Sequence, residues 1–219
     1  MPATAVYDND DFDSPTIAAT STDRGFWLRV NSGTGAAPSN PTQTDNARYG
    51  IRQLTTGTTT NGRCAIAKGL DQWYFPSTLW LWQSAIRSTE LSTATQEFVI
   101  RAGFSDTTNG DFANGIYFEY NRLISTNWLF CKADAGVRTR TDSGSLVIAN
   151  QWTKLKIYGV GTSQAVFKIN NITVGVHANI PTVGLGRVYI IQKTAGITAK
   201  TMQIDYDSLA YVSPTDRGA

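Results

Sequence analysis

Short runs of Val, Ile, Phe, Tyr, Trp and Thr, broken every few residues by Gly, Asn, Asp or Ser, recur along most of this chain. Runs of this kind form strands, because β-branched and aromatic side chains suit a pleated, half-buried surface, and the small polar residues between them suit reversals of direction. No long helical period interrupts the pattern. Strands are expected over 25–30, 47–54, 63–68, 79–86, 97–104, 115–120 and 126–132, and then over 145–148, 152–160, 164–170, 172–176, 187–192 and 202–212. About a dozen strands exceed what one open sheet holds without splitting or curling. The chain is therefore expected to be all-β, with two antiparallel sheets packed as a sandwich.

Alternation indicates which faces are buried. In 164–170, Ala165, Phe167 and Ile169 point one way and Gln164, Val166 and Lys168 the other, as a period of two requires. Asn170 and Asn171 both tolerate positive φ and suit a tight hairpin between Phe167-Lys168-Ile169 and Ile172-Thr173-Val174. The last strand would set Ile204, Tyr206, Ala210 and Val212 against Asp205, Asp207, Leu209 and Tyr211. Residues 1–22 are polar and read as an extended N-terminal arm, and 31–46 as a loop, leaving 23–219 as one sandwich domain.

A chain of 219 residues buries roughly 70% of its unfolded surface on folding, enough for a core without metal or disulfide staples. Cys64 and Cys131 lie in strand-like runs, outside any CxxC or Cys/His cluster, and are expected as buried free thiols. The formal net charge is +2 with basic residues scattered, so no nucleic-acid footprint is expected. No apolar run approaches the roughly 20 residues a membrane helix needs, and the N-terminus carries Asp8, Asp10, Asp11 and Asp13 instead of a basic and apolar leader.

The succession EFVIRAGFSDTTNGDFANGIYFEY, TNWLFCKADAGVRTRTDSG, QWTKLKIYGVGTSQAVFKINNITVGV and MQIDYDSLAYV resembles the concanavalin A-like lectin and glucanase jelly rolls over residues 75–213, in particular those of bacteriophage structural proteins. The resemblance implies a jelly-roll sandwich with one concave sheet, and a non-enzymatic virion protein that decorates the head or tips a fibre. Such a protein would form a homo-oligomer, a trimer by preference, contact other virion proteins such as the major capsid protein, and reside in the virion. The alternative it implies is a stand-alone glycan-binding domain that meets a cell-surface glycan, with Trp73, Tyr74 and Trp128 as the glycan-facing aromatics.

Enzymatic readings are tested residue by residue. A glycosidase needs two carboxylates about 5–10 Å apart. None of Glu90, Glu97 and Glu119 has an acidic residue two positions away, and Asp205 and Asp207 read as solvated, outward-facing residues. Arg87-Ser88-Thr89-Glu90-Leu91 resembles the Arg-Thr/Ser-Glu-Leu motif of an alginate lyase family, but that family's Gln-Ile/Val-His and Tyr-x-Lys-x-Gly stretches are missing, so the five residues read as a strand end and turn. His177, with no carboxylate beside it, reads as a surface-loop histidine. No Gly-x-Ser-x-Gly elbow occurs, and Gly159-Val160-Gly161 reads as a hairpin turn instead of a phosphate cradle. Asp106, Asn109 and Asp111, or the cluster Asp8 to Asp13, offer hard oxygen ligands of the type Ca²⁺ takes, without the spacing of a calcium loop.

Overall fold

The computed structural model describes residues 4–12, 27–41 and 50–213. These hold fifteen strands and no helix: β1 (Thr4–Asp10), β2 (Leu28–Ser32), β3 (Ala37–Ser39), β4 (Arg52–Thr55), β5 (Arg63–Trp73), β6 (Leu79–Ser88), β7 (Phe98–Ser105), β8 (Gly115–Asn121), β9 (Asn127–Asp134), β10 (Val137–Leu146), β11 (Thr153–Val160), β12 (Gln164–Ile169), β13 (Ile172–Ala178), β14 (Leu185–Lys193) and β15 (Thr201–Ser213). Eight strands form one antiparallel sheet in the order β13-β12-β11-β6-β15-β4-β3, with β1 pairing β15 beside the stretch that β4 leaves free. Seven form the other, in the order β10-β9-β8-β7-β14-β5-β2.

The facing sides of the two sheets make the core. Trp80, Trp82 and Ile86 of β6, Leu155 and Ile157 of β11, and Ala165, Phe167 and Ile169 of β12 meet Ile100 and Phe104 of β7, Ile116 and Phe118 of β8, and Tyr189 and Ile191 of β14. All of these are essentially inaccessible to water, and each large apolar side chain so buried contributes about 1.5–3 kcal/mol. Trp80 and Trp82 both face inward while Leu79 stays exposed, as period-two alternation along a strand requires. The lack of a side chain at Gly159 makes room for Trp80, since a Cβ there would come within 2.8 Å of the indole.

The Asn170-Asn171 hairpin forms as expected. Both residues have positive φ, at 49° and 68°, and Ile169 pairs with Ile172 across the turn.

Several expectations are corrected. Thr4–Asp10 is a strand zipped along Asp207–Ser213 of β15, where an arm was expected; residues 13–22 of that arm lie outside the described residues. The 31–46 loop contains the end of β2 and all of β3, with 42–46 outside the described residues. The strand expected at 145–148 is the tail of β10, which starts at Val137. Alternation in β15 breaks at a register shift between Ile204 and Asp207, so Met202 and Ile204 face the core and, beyond the shift, Asp207 and Leu209 do. Two consecutive residues, Asp205 and Tyr206, sit at this bulge, and the extra residue reverses which parity points inward.

Candidate functional site

The outward face of the seven-stranded sheet is dry over its central strands and half-buried at β2 and β10. Across it in register run Val30, Ala65, Ile190, Arg101, Glu119 and Leu129, and beside them Leu28, Ala67, Val188, Gly103, Tyr117, Cys131 and Arg140. Arg101 is 6% exposed, Tyr117 1% and Glu119 not at all. Residues 106–114, which join β7 to β8, cover part of this face. Phe112, itself 1% exposed, packs edge-on against Tyr117 with ring centroids 4.6 Å apart, and the Arg101 guanidinium lies over its ring at 5.3 Å.

Guanidinium groups clamp the loop down. Arg101 donates Nε to Glu119 Oε2 at 2.7 Å, Nη2 to Asp111 Oδ1 at 2.7 Å and Nη1 to the Gly110 carbonyl. Arg140 donates Nε to the other Glu119 oxygen at 2.8 Å. Arg138 also pairs with Asp111, and Arg63 donates to the Asn109 side chain. A buried carboxylate between two guanidiniums is a satisfied ion cluster. Burial pushes the Tyr117 phenol and the Cys131 thiol up from their ordinary values, which keeps both protonated and makes Cys131 a poor nucleophile. Cys64, on the core side, is likewise raised by burial to about 12; both cysteines are buried free thiols.

Most of the oxygen ligands considered for Ca²⁺ are engaged by the chain itself, although Asp106 Oδ1 is buried without a partner among the described residues. Asp111 and Asn109 face arginines, and Asp106 accepts from the backbone and side-chain amides of Asn114. In the N-terminal cluster, Asp8 is paired with Lys68 and Arg187, and Asp10 accepts from the Trp27 indole and the Phe12 amide; Asp13 lies outside the described residues. No group of three or more His, Cys, Asp or Glu among the described residues is placed to hold a metal ion, and these arrangements do not fit Ca²⁺.

A second polar cluster lies between the sheets. Asp207 is completely buried and accepts from Trp82 Nε1 at 2.9 Å, from the Tyr189 hydroxyl at 2.7 Å and from Arg187. This corrects the expectation of an outward-facing, solvated residue. Burial pushes its carboxyl up from the ordinary value, against the pull of Arg187 and the Tyr189 and Trp82 donors. Arg187 carries the network on to Asp8 of β1 at 2.6 Å, and Lys68 meets the other Asp8 oxygen at 2.9 Å. Sequence patterning missed this cluster because the bulge at Asp205-Tyr206 hides the inward parity of Asp207.

The aromatics singled out for glycan contact separate. Trp128 is 1% exposed and packed against Tyr120 inside the sandwich, so it faces no glycan. Tyr74 is 62% exposed. Trp73 is half-buried and walls a cavity of about 240 Å³ with Tyr211, Gln72, Lys68, Asp8 and Arg187. His177 is a buried residue of β13 and not a loop residue: its Nε2 lies 3.1 Å from the Phe130 carbonyl, between the Phe130 and Phe167 rings. Arg87 and Ser88 end β6 as expected. Arg87 donates to Gln203 and covers the Trp152 ring, and Glu90 pairs with Lys200.

Comparison with known proteins agrees on the fold. A protein of unknown function, SO2946 from Shewanella oneidensis MR-1, superposes with a TM-score of 0.69 at 14% identity, over 100% of this chain and 91% of that one. An endo-1,3-β-glucanase from Streptomyces sioyaensis superposes with a TM-score of 0.62 at 12% identity, over 98% and 99% of the two chains. The carbohydrate recognition domain of Emp46p, in a potassium-bound form, does so with 0.55 at 8% identity, over 84% and 87%. At these identities the likeness concerns architecture: an all-β, two-sheet jelly roll of the glucanase and lectin type. No curated protein matches the chain. The family model described as SO2946-like, C-terminal domain matches residues 47–205, and the chain belongs to that family.

Proposed function

We propose that this chain is a non-catalytic structural module that works by packing its surface against neighbouring subunits, in a bacteriophage virion as head decoration or fibre tip. One observation carries the reading. An apolar row, Val176, Val166, Tyr158, Leu81, Ala210 and Tyr7, crosses the outward face of the eight-stranded sheet in register from β13 to β1. Val176 and Tyr7 at its ends are 48% and 68% exposed, and Leu79 and Val160 widen it from the adjacent row. Contiguous exposed apolar surface of this kind marks a protein contact more often than an accident of packing. Part of the other outward face is closed by the chain's own loop over paired charges, which favours a module without turnover. The virion setting rests on the phage-like run of motifs in the sequence.

Absolute mass by light scattering, for the native chain and a Tyr158→Lys/Val166→Lys variant, tests the packing. A symmetric oligomer, a trimer by preference, that dissociates in the variant is expected. A monomer in both forms, or turnover of alginate or a 1,3-β-glucan by the native chain, overturns the reading. Immunogold labelling of purified virions tests the setting, and unlabelled particles would exclude it.

A further inference from the structure

We propose that the outward face of the eight-stranded sheet binds one doubly charged oxyanion, of the class of inorganic phosphate or sulfate, in a hollow beside Lys154 and Lys156. The hollow measures about 250 Å³ and is lined by Gln83 of β6, Lys154, Leu155 and Lys156 of β11, Asn171 of the β12–β13 turn and Tyr206 of β15. It shares no residue with the apolar row of the packing surface.

Two departures from regular strand geometry build its walls. On one side the Asn170-Asn171 turn is fastened to β11: the Lys154 amide donates to Asn170 Oδ1 at 2.9 Å, and the Asn170 amide donates to the Lys154 carbonyl at 2.8 Å. Asn171, at a φ of 68°, is thereby held at the edge of the hollow. On the other side, the register shift between Ile204 and Asp207 brings Tyr206 to the same hollow, since a bulge re-aims the side chains it carries. Between these walls Lys156 stands directly opposite Gln83, and Lys154 follows two residues along β11 on the same face.

Charge and size select the ligand. Lys156 also stands directly opposite Lys168 of β12, and like charges so placed destabilise a sheet. The Lys168 ammonium lies over the Tyr158 ring at 5.5 Å. None of the three lysines has a carboxylate partner among the described residues, and Asp205, beside Tyr206, is itself engaged. Adjacent members of the trio are about 5–7 Å apart along the backbone, within the roughly 8 Å over which physiological salt screens a charge, so their fields add. A dianion cancels two of these charges where a monocarboxylate cancels one. The side-chain amides of Gln83 and Asn171 and the Tyr206 hydroxyl make no hydrogen bond to the described residues, and they add neutral donors to the two ammoniums that line the hollow. Its volume is below the roughly 300–1,000 Å³ of pockets for drug-sized ligands, which suits a group of a few atoms.

Amide-resolved NMR titration of the full chain tests the site, with sodium phosphate, sodium sulfate and sodium acetate as probes at an ionic strength held constant by sodium chloride. Phosphate and sulfate are expected to shift the amides of Gln83, Lys154, Lys156, Asn171 and Tyr206 in a saturable way, and acetate to bind more weakly. Lys156→Gln is expected to weaken the dianions about tenfold, the worth of one charge-assisted hydrogen bond, and Lys132→Gln, on the other sheet, to leave them unchanged. Shifts that never saturate, or that follow ionic strength alike for all three salts, overturn the proposal, because they reduce the patch to general screening. Acetate bound as tightly as sulfate overturns it too, as does saturable binding that survives Lys156→Gln undiminished and so lies elsewhere. Neither result bears on the packing surface, which the mass of the Tyr158→Lys/Val166→Lys variant tests separately.

Discussion

Phe112 seats its ring edge-on against Tyr117, 4.6 Å between centroids and 75° between planes, on the side of the sheet that faces away from the core. The contact is the apolar anchor of residues 106–114, and the guanidiniums of Arg63, Arg101 and Arg138 add polar clamps around it. A loop held by one buried ring opens locally before the sandwich unfolds. In Phe112→Ala, backbone amide exchange over 106–114 is expected to accelerate strongly while exchange in β6 and β14 stays slow. Uniform acceleration across the sheet would show that the loop is part of the global folding unit.

Glu119 holds the cluster under that loop. With no water access, it accepts from Arg101 and Arg140 at 2.7 and 2.8 Å. Removing one partner of a buried pair leaves uncompensated charge and costs about 3–5 kcal/mol. Glu119→Ala is expected to lose that much in urea unfolding. Replacing Glu119 and both arginines by apolar residues of similar volume should restore most of it, because the pairing itself is nearly neutral against a packed core.

Asp207 makes the same argument between the sheets, with a different signature. Its partners Trp82 and Tyr189 are core aromatics, so Asp207→Ala strips two hydrogen bonds from the core and a counter-ion from Arg187. A loss of about 3–5 kcal/mol is expected, together with a change in near-ultraviolet circular dichroism from the repacked Trp82. An unchanged denaturation midpoint would mean that water replaces the carboxylate.

What the sequence revealed and concealed follows from local chemistry. The Asn170-Asn171 turn was legible because two adjacent residues that tolerate positive φ leave few other conformations. The inward set Ala165, Phe167 and Ile169 was legible because β12 alternates without interruption. β10 was hidden because its run VRTRTDSGSL has a single large apolar residue at each end. It is an edge strand whose half-buried side chains include Arg138 and Arg140, which hold the loop through Asp111 and Glu119. The buried Asp207 and His177 were hidden for a shared reason: each is a polar residue whose inward direction is set by a register shift, near Asp205-Tyr206 in β15 and between Phe167 and Lys168 in the β12–β13 pair. Period-two reasoning has no access to a bulge.

The first strand gives a prediction opposite to that of a free arm. β1 pairs seven residues of β15, and its Asp8 joins Arg187 and Lys68. Burial pushes the Asp8 carboxyl up, and Arg187 and Lys68 outweigh it, holding the group below its ordinary value. Deleting residues 1–12 bares the edge of a long central strand and leaves Arg187 one carboxylate short. Lower thermal stability and concentration-dependent aggregation through that edge are expected. A truncated chain that melts like the full one would return these residues to the status of an arm.

His177 sets the pH dependence that acts nearest neutrality. Desolvation between the Phe130 and Phe167 rings lowers its pKa from 6.5, and the bond to the Phe130 carbonyl opposes this only in part. The unfolded chain therefore takes up a proton near its ordinary value while the folded chain stays neutral, so below that pH the unfolded state binds more protons and stability falls. The loss continues until the pH passes the folded value, where it levels off. Asp8 and Asp111 are held below 3.8 and act with the same sign only in more acidic solution. In the window just below pH 6.5 His177 thus lowers stability as the pH falls, and the raised carboxyl of Asp207 works against it, since that group favours the folded state more as the pH falls. Urea midpoints measured across this window are expected to decline in the native chain and to flatten or rise in His177→Gln. The same pH dependence in the native chain and in His177→Gln would mean that the imidazole takes up its proton inside the fold, which the two rings and the carbonyl leave little room to accommodate.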